Sequence, residues 1–219
     1  IYQRVLQYTE SPKYGEALYR LGWCYYKRSQ YPEAISYFTL LADDVKRSEK
    51  FDPENKITNP ALVNESIEYI GISFLEYKGV AGVADYLAQL GGREYGLDVL
   101  KHVGNIYMTV KEEYDNAIQS FRLLLQLYPH SAEAPVARAK IAESYRALED
   151  EELAYLNRDT LFTDYRAGTV WWEKNTKEEV RANGRSLAER ALRENINLLL
   201  RLAEQESDTS YYLQSVKDS

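Results

Sequence analysis

The feature that most constrains this chain is a spacing of small and aromatic residues that occurs twice. The first copy consists of Gly22, Tyr25, Tyr31, Ala34 and Phe38, and the second of Gly104, Tyr107, Tyr114, Ala117 and Phe121. The second copy has one extra residue near its middle, around Lys111 to Glu113. Apolar residues recur at spacings of three and four, which predicts helices. Each copy is long enough for two helices and a turn, so the pattern predicts an all-α array of antiparallel helix pairs.

Two weaker copies accompany the strong ones. One contains Gly71, Phe74, Val83 and Leu87, and the other contains Ala142, Tyr145, Ala154 and Arg158. The four copies predict a repeat region over residues 14–168. An insert near 46–60, rich in charge, interrupts it, and we expect a lengthened helix followed by a solvated loop there rather than a binding element.

The pattern resembles the tetratricopeptide repeat, a helix–turn–helix unit of about 34 residues. On this resemblance the repeats cover about 15–48, 64–96, 97–130 and 135–168, and the fold is a right-handed α-solenoid. The small residues Gly and Ala let the two helices of a repeat approach closely, and the aromatic residues fill the space around that contact. The Tyr128-Pro-His-Ser131 junction is similar to that of bacterial cell-envelope members, namely outer-membrane assembly lipoproteins and Tol–Pal accessory proteins. In it Pro129 should stop one helix and Ser131 should cap the next.

The two ends of the chain predict parts of further repeats. Residues 1–13 read as the second helix of a truncated preceding repeat, and residues 169–219 as a diverged helical unit that is cut at its end. In the latter we expect a loop over 166–175, a long helix over about 177–206 and another helix from Ser210. Trp171 and Trp172 in the loop are either a patch for a partner or a plug over the last repeat, and we favour burial because an exposed Trp pair lowers solubility. We therefore expect a fragment of a longer array.

Composition argues against several classes of function. One Cys and two His leave little material for disulfides or metal sites, and a net charge of −7 disfavours nucleic-acid binding. No apolar run is long enough to span a membrane, and Gly79, Gly82 and Gly91-Gly92 read as turns rather than phosphate loops. We expect Cys24 to be packed on the apolar side of its helix, His102 and His130 to be structural or exposed, and the acidic run 149–152 to be a solvated turn. The sequence thus predicts no catalytic, cofactor-binding or metal-binding residues.

The resemblance implies a concave groove lined by the first helix of each repeat, in which a protein or peptide partner binds. The groove positions that we carry over as candidate partner-binding residues are Glu16, Tyr19, Trp23, Tyr26, Lys27, Glu68, Ile72, Leu75, Lys101, Asn105, Met108, Glu143 and Arg146, and the same register adds Glu65, Glu76, Asp98, Thr109, Val136, Ala139 and Ala147. Lys101 and Asn105 match two residues of the carboxylate clamp of chaperone-adaptor members. Lys140 stands where that clamp has Asn, so we do not expect a clamp here.

Tyr19, Trp23 and Tyr26 form a second apolar stripe on a helix whose core face is already occupied by Leu18 and Leu21. Either the stripe packs on the preceding repeat, or it is an aromatic hot spot for a partner. The sequence therefore predicts a non-catalytic interaction module that binds a peptide or partner helix, with a bacterial envelope location. The alternative is a scaffold that associates end to end or through its helix faces. The oligomeric state stays open.

Overall fold

The computed structural model describes the backbone of residues 1–9, 11–51, 60–90 and 95–217, and the side chains of 1–9, 11–45, 61–90 and 95–206. All regular secondary structure in these ranges is helical. The chain divides into two compact units, residues 1–123 and 124–219. Helices that follow one another along the chain pack together, which confirms the predicted all-α fold of consecutive helix pairs.

The first unit is built from helices in successive pairs. They are α1 (Tyr2–Val5), α2 (Tyr14–Lys27), α3 (Tyr31–Phe51), α4 (Pro60–Tyr77), α5 (Gly79–Gln89), α6 (Gly96–Thr109) and α7 (Tyr114–Leu127), and the boundary between the units falls inside α7. Helix α3 contacts both α2 and α4, and α4 contacts α5 and α6. Each helix therefore has its neighbours in sequence as its neighbours in space, as repeat arrays do.

The second unit contains α8 (Ala134–Ala147), α9 (Glu151–Tyr165), α10 (Val170–Lys174) and α11 (Glu178–Lys217). Helix α9 packs against α8 on one side and against α11 on the other. Its core includes Ala134, Ala139, Leu161 and Tyr165 together with Trp171 of α10. The first part of α11 therefore packs along the helix pair formed by α8 and α9.

The repeated glycines explain how the two helices of a pair approach one another. A Cβ atom on Gly22 would lie 2.6 Å from the ring of Phe38, and one on Gly104 would lie 2.7 Å from the ring of Phe121. Any other residue at these positions would therefore collide with a fully buried ring. The sequence spacing that predicts the repeat therefore also places the Phe ring over the Gly in both strong copies.

Three intra-pair turns share a residue in the left-handed backbone region, namely Ser29, Glu112 and Glu149. After each one, the next backbone N–H donates to the carbonyl oxygen of the repeat tyrosine, from Gln30 to Tyr25, from Glu113 to Tyr107 and from Asp150 to Tyr145. This bond closes the end of the first helix. The bond of the middle turn spans one more residue than the others, which is the extra residue that the sequence predicts there.

Several local predictions are wrong. The loop expected over 166–175 contains α10, because Thr169 caps it by accepting from the Trp172 backbone N–H at 3.3 Å. No break precedes Ser210, since α11 is one continuous helix from Glu178 to Lys217. The Oγ of Ser131 caps nothing, and α8 begins after Glu133 without a side-chain cap.

The first helices of the chain also differ from expectation. The helix in residues 1–13 covers only Tyr2–Val5. The insert begins as a lengthened helix, because α3 continues to Phe51, and its part 52–59 lies outside the described residues, as do Gly91 and Gly92. Cys24 is exposed rather than packed. It keeps the apolar spacing, but it lies in the last turn of α2, where no side chain from 23 to 27 is fully buried.

Candidate partner-binding surface

Four aromatic rings meet where α2 crosses α4 in the first unit, and we call them the aromatic patch: Tyr19, Trp23, Tyr26 and Tyr69. The ring centroid of Tyr69 lies 4.6 Å from that of Trp23 and 5.3 Å from that of Tyr26, in tilted and edge-on arrangements. These geometries are the favourable ones for aromatic pairs. Beneath the patch, the buried Phe38 stacks on Tyr69 at 5.5 Å. The patch therefore joins two consecutive repeats through side-chain contacts.

Polar atoms at the edge of the patch are tied to one another. Trp23 Nε1 donates to the hydroxyl of Tyr19 at 2.7 Å, and that hydroxyl donates to the carboxylate of Glu65 on α4. The Lys27 ammonium lies 4.8 Å from the centroid of the Trp23 ring, a cation–π distance. These bonds hold the indole in one orientation.

The three tyrosine hydroxyls of the patch resist ionisation. Burial raises the pKa of Tyr19, Tyr26 and Tyr69 above the ordinary value, and nearby carboxylates add to the effect. Glu65 lies near Tyr19 and Tyr69, and Glu76 lies near Tyr26. At neutral pH the patch therefore presents uncharged rings beside carboxylates.

The structure supplies a packing partner that neither sequence hypothesis names. The stripe on α2 packs on Tyr69 of the following repeat. Even so, all four rings of the patch stay only half-buried. Packing therefore buries part of each ring and leaves part of it on the surface.

The remaining predicted residues of α2 and α4 lie around the patch. Glu16 pairs with Lys13 at 3.0 Å and lies 4.0 Å from Arg20, and the hydrogen bond from Lys13 lowers the pKa of its carboxyl group. On α4, Ile72 and Leu75 are half-buried. Glu68 of α4 lies 3.7 Å from the His102 imidazole of α6.

Helix α6 carries three further predicted residues. Lys101 lies 3.5 Å from Asp98 one turn earlier, so its ammonium is engaged by its own helix. Asn105 is half-buried, and its buried Oδ1 has no hydrogen-bond partner among the described residues. Met108 is half-buried. Helix α6 packs against α4 within the first unit.

Two of the predicted residues in the second unit, Glu143 and Arg146, lie near α11. Glu143 of α8 accepts from Arg190 of α11 at 3.4 Å. Arg146 lines an open cleft of about 490 Å³, together with Glu151, Arg158 and Leu200. In this unit the predicted groove face of α8 is therefore occupied in part by the long helix.

Two important residues were missed as site residues by the sequence reasoning. Tyr69, two residues before the repeat glycine Gly71, is not among the predicted groove residues, although it is the centre of the aromatic patch. Arg158 occupies the repeat position that holds Phe38 and Phe121 in the strong copies, and it is buried. Its Nε donates to Asn195 at 2.6 Å, and its Nη2 pairs with Glu151. A charged residue in an aromatic repeat position was the signal that could have revealed it.

Asp150 and the His130 backbone make hydrogen bonds that hold neighbouring segments together. Asp150 caps α9 by accepting from the Leu153 backbone N–H at 2.9 Å. His130 is exposed, and its carbonyl oxygen accepts from Asn175 at 3.1 Å. Among the described residues, no cluster of three His, Cys, Asp or Glu side chains could hold a metal ion.

Trp171 and Trp172 differ in their surroundings. Trp171 is buried, its ring is 5.4 Å from that of Tyr165, and its Nε1 donates to the Ser131 carbonyl oxygen at 2.8 Å. Trp172 is half-buried, and the guanidinium groups of Arg181 and Arg185 each lie 5.1 Å from its ring centroid. The predicted burial is therefore confirmed for Trp171, whereas Trp172 is only half-buried.

Comparison with known proteins identifies one of the repeats. Residues 16–48 match the tetratricopeptide repeat family, a segment that covers most of α2 and α3 and includes Tyr19, Trp23, Tyr26 and Phe38. No curated protein matches the chain. No helix among the described residues has the length and apolar character needed to cross a membrane. The match supports a tetratricopeptide repeat protein, a class whose members generally serve protein–protein interaction and not catalysis.

Proposed function

We propose that the chain is a non-catalytic interaction module and that its first unit binds a peptide or partner helix at the aromatic patch. The observation that carries the proposal is the half-burial of Trp23. Its ring is fixed by Tyr69 and by the bond to Tyr19, but it is only partly covered. A fixed aromatic side chain loses little conformational entropy on binding, which is one reason why Trp and Tyr are enriched in binding hot spots.

The surroundings of the patch indicate the chemistry of the partner. Carboxylates of Glu65, Glu68 and Glu76 lie on exposed positions of α4 beside the rings. Aromatic faces attract cations, as the Lys27 ammonium over Trp23 illustrates. A segment that carries aliphatic side chains together with Lys or Arg would complement such a surface.

Selection from a displayed peptide library, followed by affinity measurement, tests this proposal. We expect peptides enriched on the 219-residue chain to bind the Trp23→Ala variant at least roughly thirtyfold more weakly, as loss of a hot spot of about 2 kcal/mol implies. The same substitution removes the stack on Tyr69, so we expect it to lower the free energy of unfolding by about 1–2 kcal/mol.

The matched control is Ile35→Val, which is expected to cost a similar ~0.5–1.5 kcal/mol of stability at a buried site of α3. Peptide binding should survive in this variant. Equal binding by wild type and Trp23→Ala, or equal loss in both variants, would show that the patch serves packing alone.

We also propose an address at the bacterial periplasm or the periphery of the outer membrane, which rests on the Tyr128-Pro-His-Ser131 junction alone. In the structure this junction ends α7 at Leu127 and supplies the Ser131 carbonyl oxygen that Trp171 binds. Cell fractionation of the full-length protein tests the location, and recovery from the cytosolic fraction would exclude it.

A further inference from the structure

The long helix α11 extends beyond the helix pair on which it begins. Its Asn195 donates to the Tyr155 carbonyl oxygen at 3.1 Å and accepts from Arg158. Near its start, Gly184 faces Trp171 of α10, whose ring packs on Tyr165 at the far end of α9. The two helices are therefore antiparallel, and α9 begins at Glu151, only one turn beyond Tyr155. The part of α11 after about residue 200 has passed the end of α9.

Large apolar side chains stay exposed on α11 both before and after the point at which it passes the end of α9. Its buried side follows Ala188, Ala191 and Asn195. Five large apolar residues nearby are between 36% and 57% exposed, and we call them the α11 apolar face: Leu192, Ile196, Leu199, Leu200 and Leu202. Scattered exposed leucines are ordinary on a protein surface, but a contiguous set on one helix marks an interaction surface.

Charges at the two ends of this face are of opposite sign. Arg193, Leu200 and Glu204 follow one edge of the face at spacings of seven and four residues, and all three side chains are exposed. When two copies of such a helix pair about a two-fold axis, the same edge of each copy meets the other in reverse order. Arg193 of each copy then lies near Glu204 of the other.

We propose that the α11 apolar face pairs with the same face of a second copy of this chain, with the two helices antiparallel. The antiparallel arrangement covers the apolar residues of both copies and places opposite charges together. A parallel pair would instead set this edge against the opposite edge of the partner helix, so Arg193 and Glu204 would not meet. The face is thus complementary to itself in one orientation.

Analytical ultracentrifugation over a wide range of protein concentration tests this pairing. The chain should reach twice the 25.4 kDa mass of one copy. Ile196→Glu and Leu199→Glu should each raise the dissociation constant of the dimer by about 100-fold or more, because each buries an unpaired carboxylate. Leu156→Glu, at an exposed position of α9 outside the face, is the matched control and should leave the dimer intact.

A charge exchange tests the orientation. Arg193→Glu and Glu204→Arg should each weaken the dimer by roughly five- to tenfold, since each creates two repulsive contacts across the two-fold axis. The double variant should restore the affinity of the wild type. A wild-type chain that stays monomeric at every concentration overturns the proposal. So does a dimer that resists Leu199→Glu, or one that the double charge exchange leaves as weak as the single variants.

Discussion

At the scale of single residues, a glycine beneath an aromatic ring recurs in both units. Gly22 lies under Phe38 and Gly104 under Phe121, each pair within one repeat. Gly184 does the same for Trp171, although neither residue belongs to a predicted repeat pair: an added Cβ would lie 2.4 Å from the Trp171 ring. The glycine that weakens the start of α11 in helix propensity is therefore the one that admits the buried tryptophan.

We predict that Gly184→Ala destabilises the protein when Trp171 is present and stabilises it when Trp171 is replaced by a smaller residue. In the wild-type background it should lower the free energy of unfolding by about 1–3 kcal/mol, because overpacking the ring outweighs the gain in helix propensity. In a Trp171→Leu background the collision is gone, and the same substitution should stabilise by up to ~1 kcal/mol. Urea denaturation of the four proteins measures the cycle, and an equal effect in both backgrounds would contradict it.

Sequence reasoning finds residues whose partners are close in the chain and misses those whose partners are distant. Gly22 and Phe38 belong to one helix pair, so their spacing alone predicts the contact. Tyr69 contacts Trp23 across two repeats with the insert between them, and no local spacing encodes that meeting. The candidate residues on α2 were thus accessible from sequence, whereas the ring that organises them was not.

At the scale of elements, three turns within helix pairs share a left-handed backbone position that is occupied by a residue other than glycine. Ser29, Glu112 and Glu149 all have positive φ, between 55° and 61°. A residue with a Cβ atom loses about 1–2 kcal/mol in this region, and glycine does not. These turns therefore contain strain that a single substitution can remove.

We predict that Glu149→Gly raises the free energy of unfolding by about 0.5–1 kcal/mol, because relief of the strain exceeds the entropy that glycine adds to the unfolded chain. The control is Glu152→Gly in the first turn of α9, where the backbone is helical. It should destabilise by up to about 1 kcal/mol. Thermal denaturation measures the stability of both variants against the wild type. A loss of stability in Glu149→Gly would refute the role of strain.

Element boundaries were predicted least well where the breaking signal was weak. Ser207, Asp208, Thr209 and Ser210 suggested a stop, but neither Gly nor Pro occurs after Gly184. Polar residues tolerate a helix interior at modest cost, so α11 continues through them. Conversely, α10 arises in five residues of the expected loop, because Thr169 provides its cap. Capping is a side-chain geometry that the spacing of apolar residues does not report.

At the scale of the whole molecule, four of the described tyrosines are buried, namely Tyr95, Tyr107, Tyr145 and Tyr165. Tyr95 is the most enclosed in the first unit, where its hydroxyl donates to Asp43 at 3.0 Å and lies 3.5 Å from that of Tyr86. Burial raises its pKa, and it also raises the pKa of Tyr107 in the first unit and of Tyr165 in the second. The fold therefore favours the neutral phenol at each of these positions.

We predict that stability falls at alkaline pH. A raised folded-state pKa contributes stability that is complete below the unfolded tyrosine pKa of about 10 and is lost as pH rises above it, because only the unfolded chain then ionises. Each such tyrosine contributes a slope of about 1.4 kcal/mol per pH unit. Urea denaturation between pH 8 and 11.5 should show a plateau and then a fall.

Tyr95→Phe is the control for this pH dependence. It removes one ionising group, so the slope above pH 10 should decrease by about 1.4 kcal/mol per pH unit whatever the variant does to stability at neutral pH. A slope identical to that of the wild type would mean that Tyr95 ionises equally in both states.

The arrangement of the molecule as a whole was predicted only in part. Consecutive helix pairs follow from the repeat spacing, and the structure has them. The two units meet between Leu123 and Leu124, inside α7 of the second strong repeat copy. No local sequence signal predicts a boundary there. The boundary reflects which side chains share a core, and the spacing of residues within one repeat carries no information on that.

The central claim is that the aromatic patch on α2 and α4 binds a partner with the surface that packing leaves uncovered. The three tryptophans supply internal probes, since their indole N–H groups give separate NMR signals. On titration with a selected peptide, the signal of Trp23 should shift while those of Trp171 and Trp172 stay in place. Shifts confined to Trp171 or Trp172, with Trp23 unmoved at saturation, would contradict the claim.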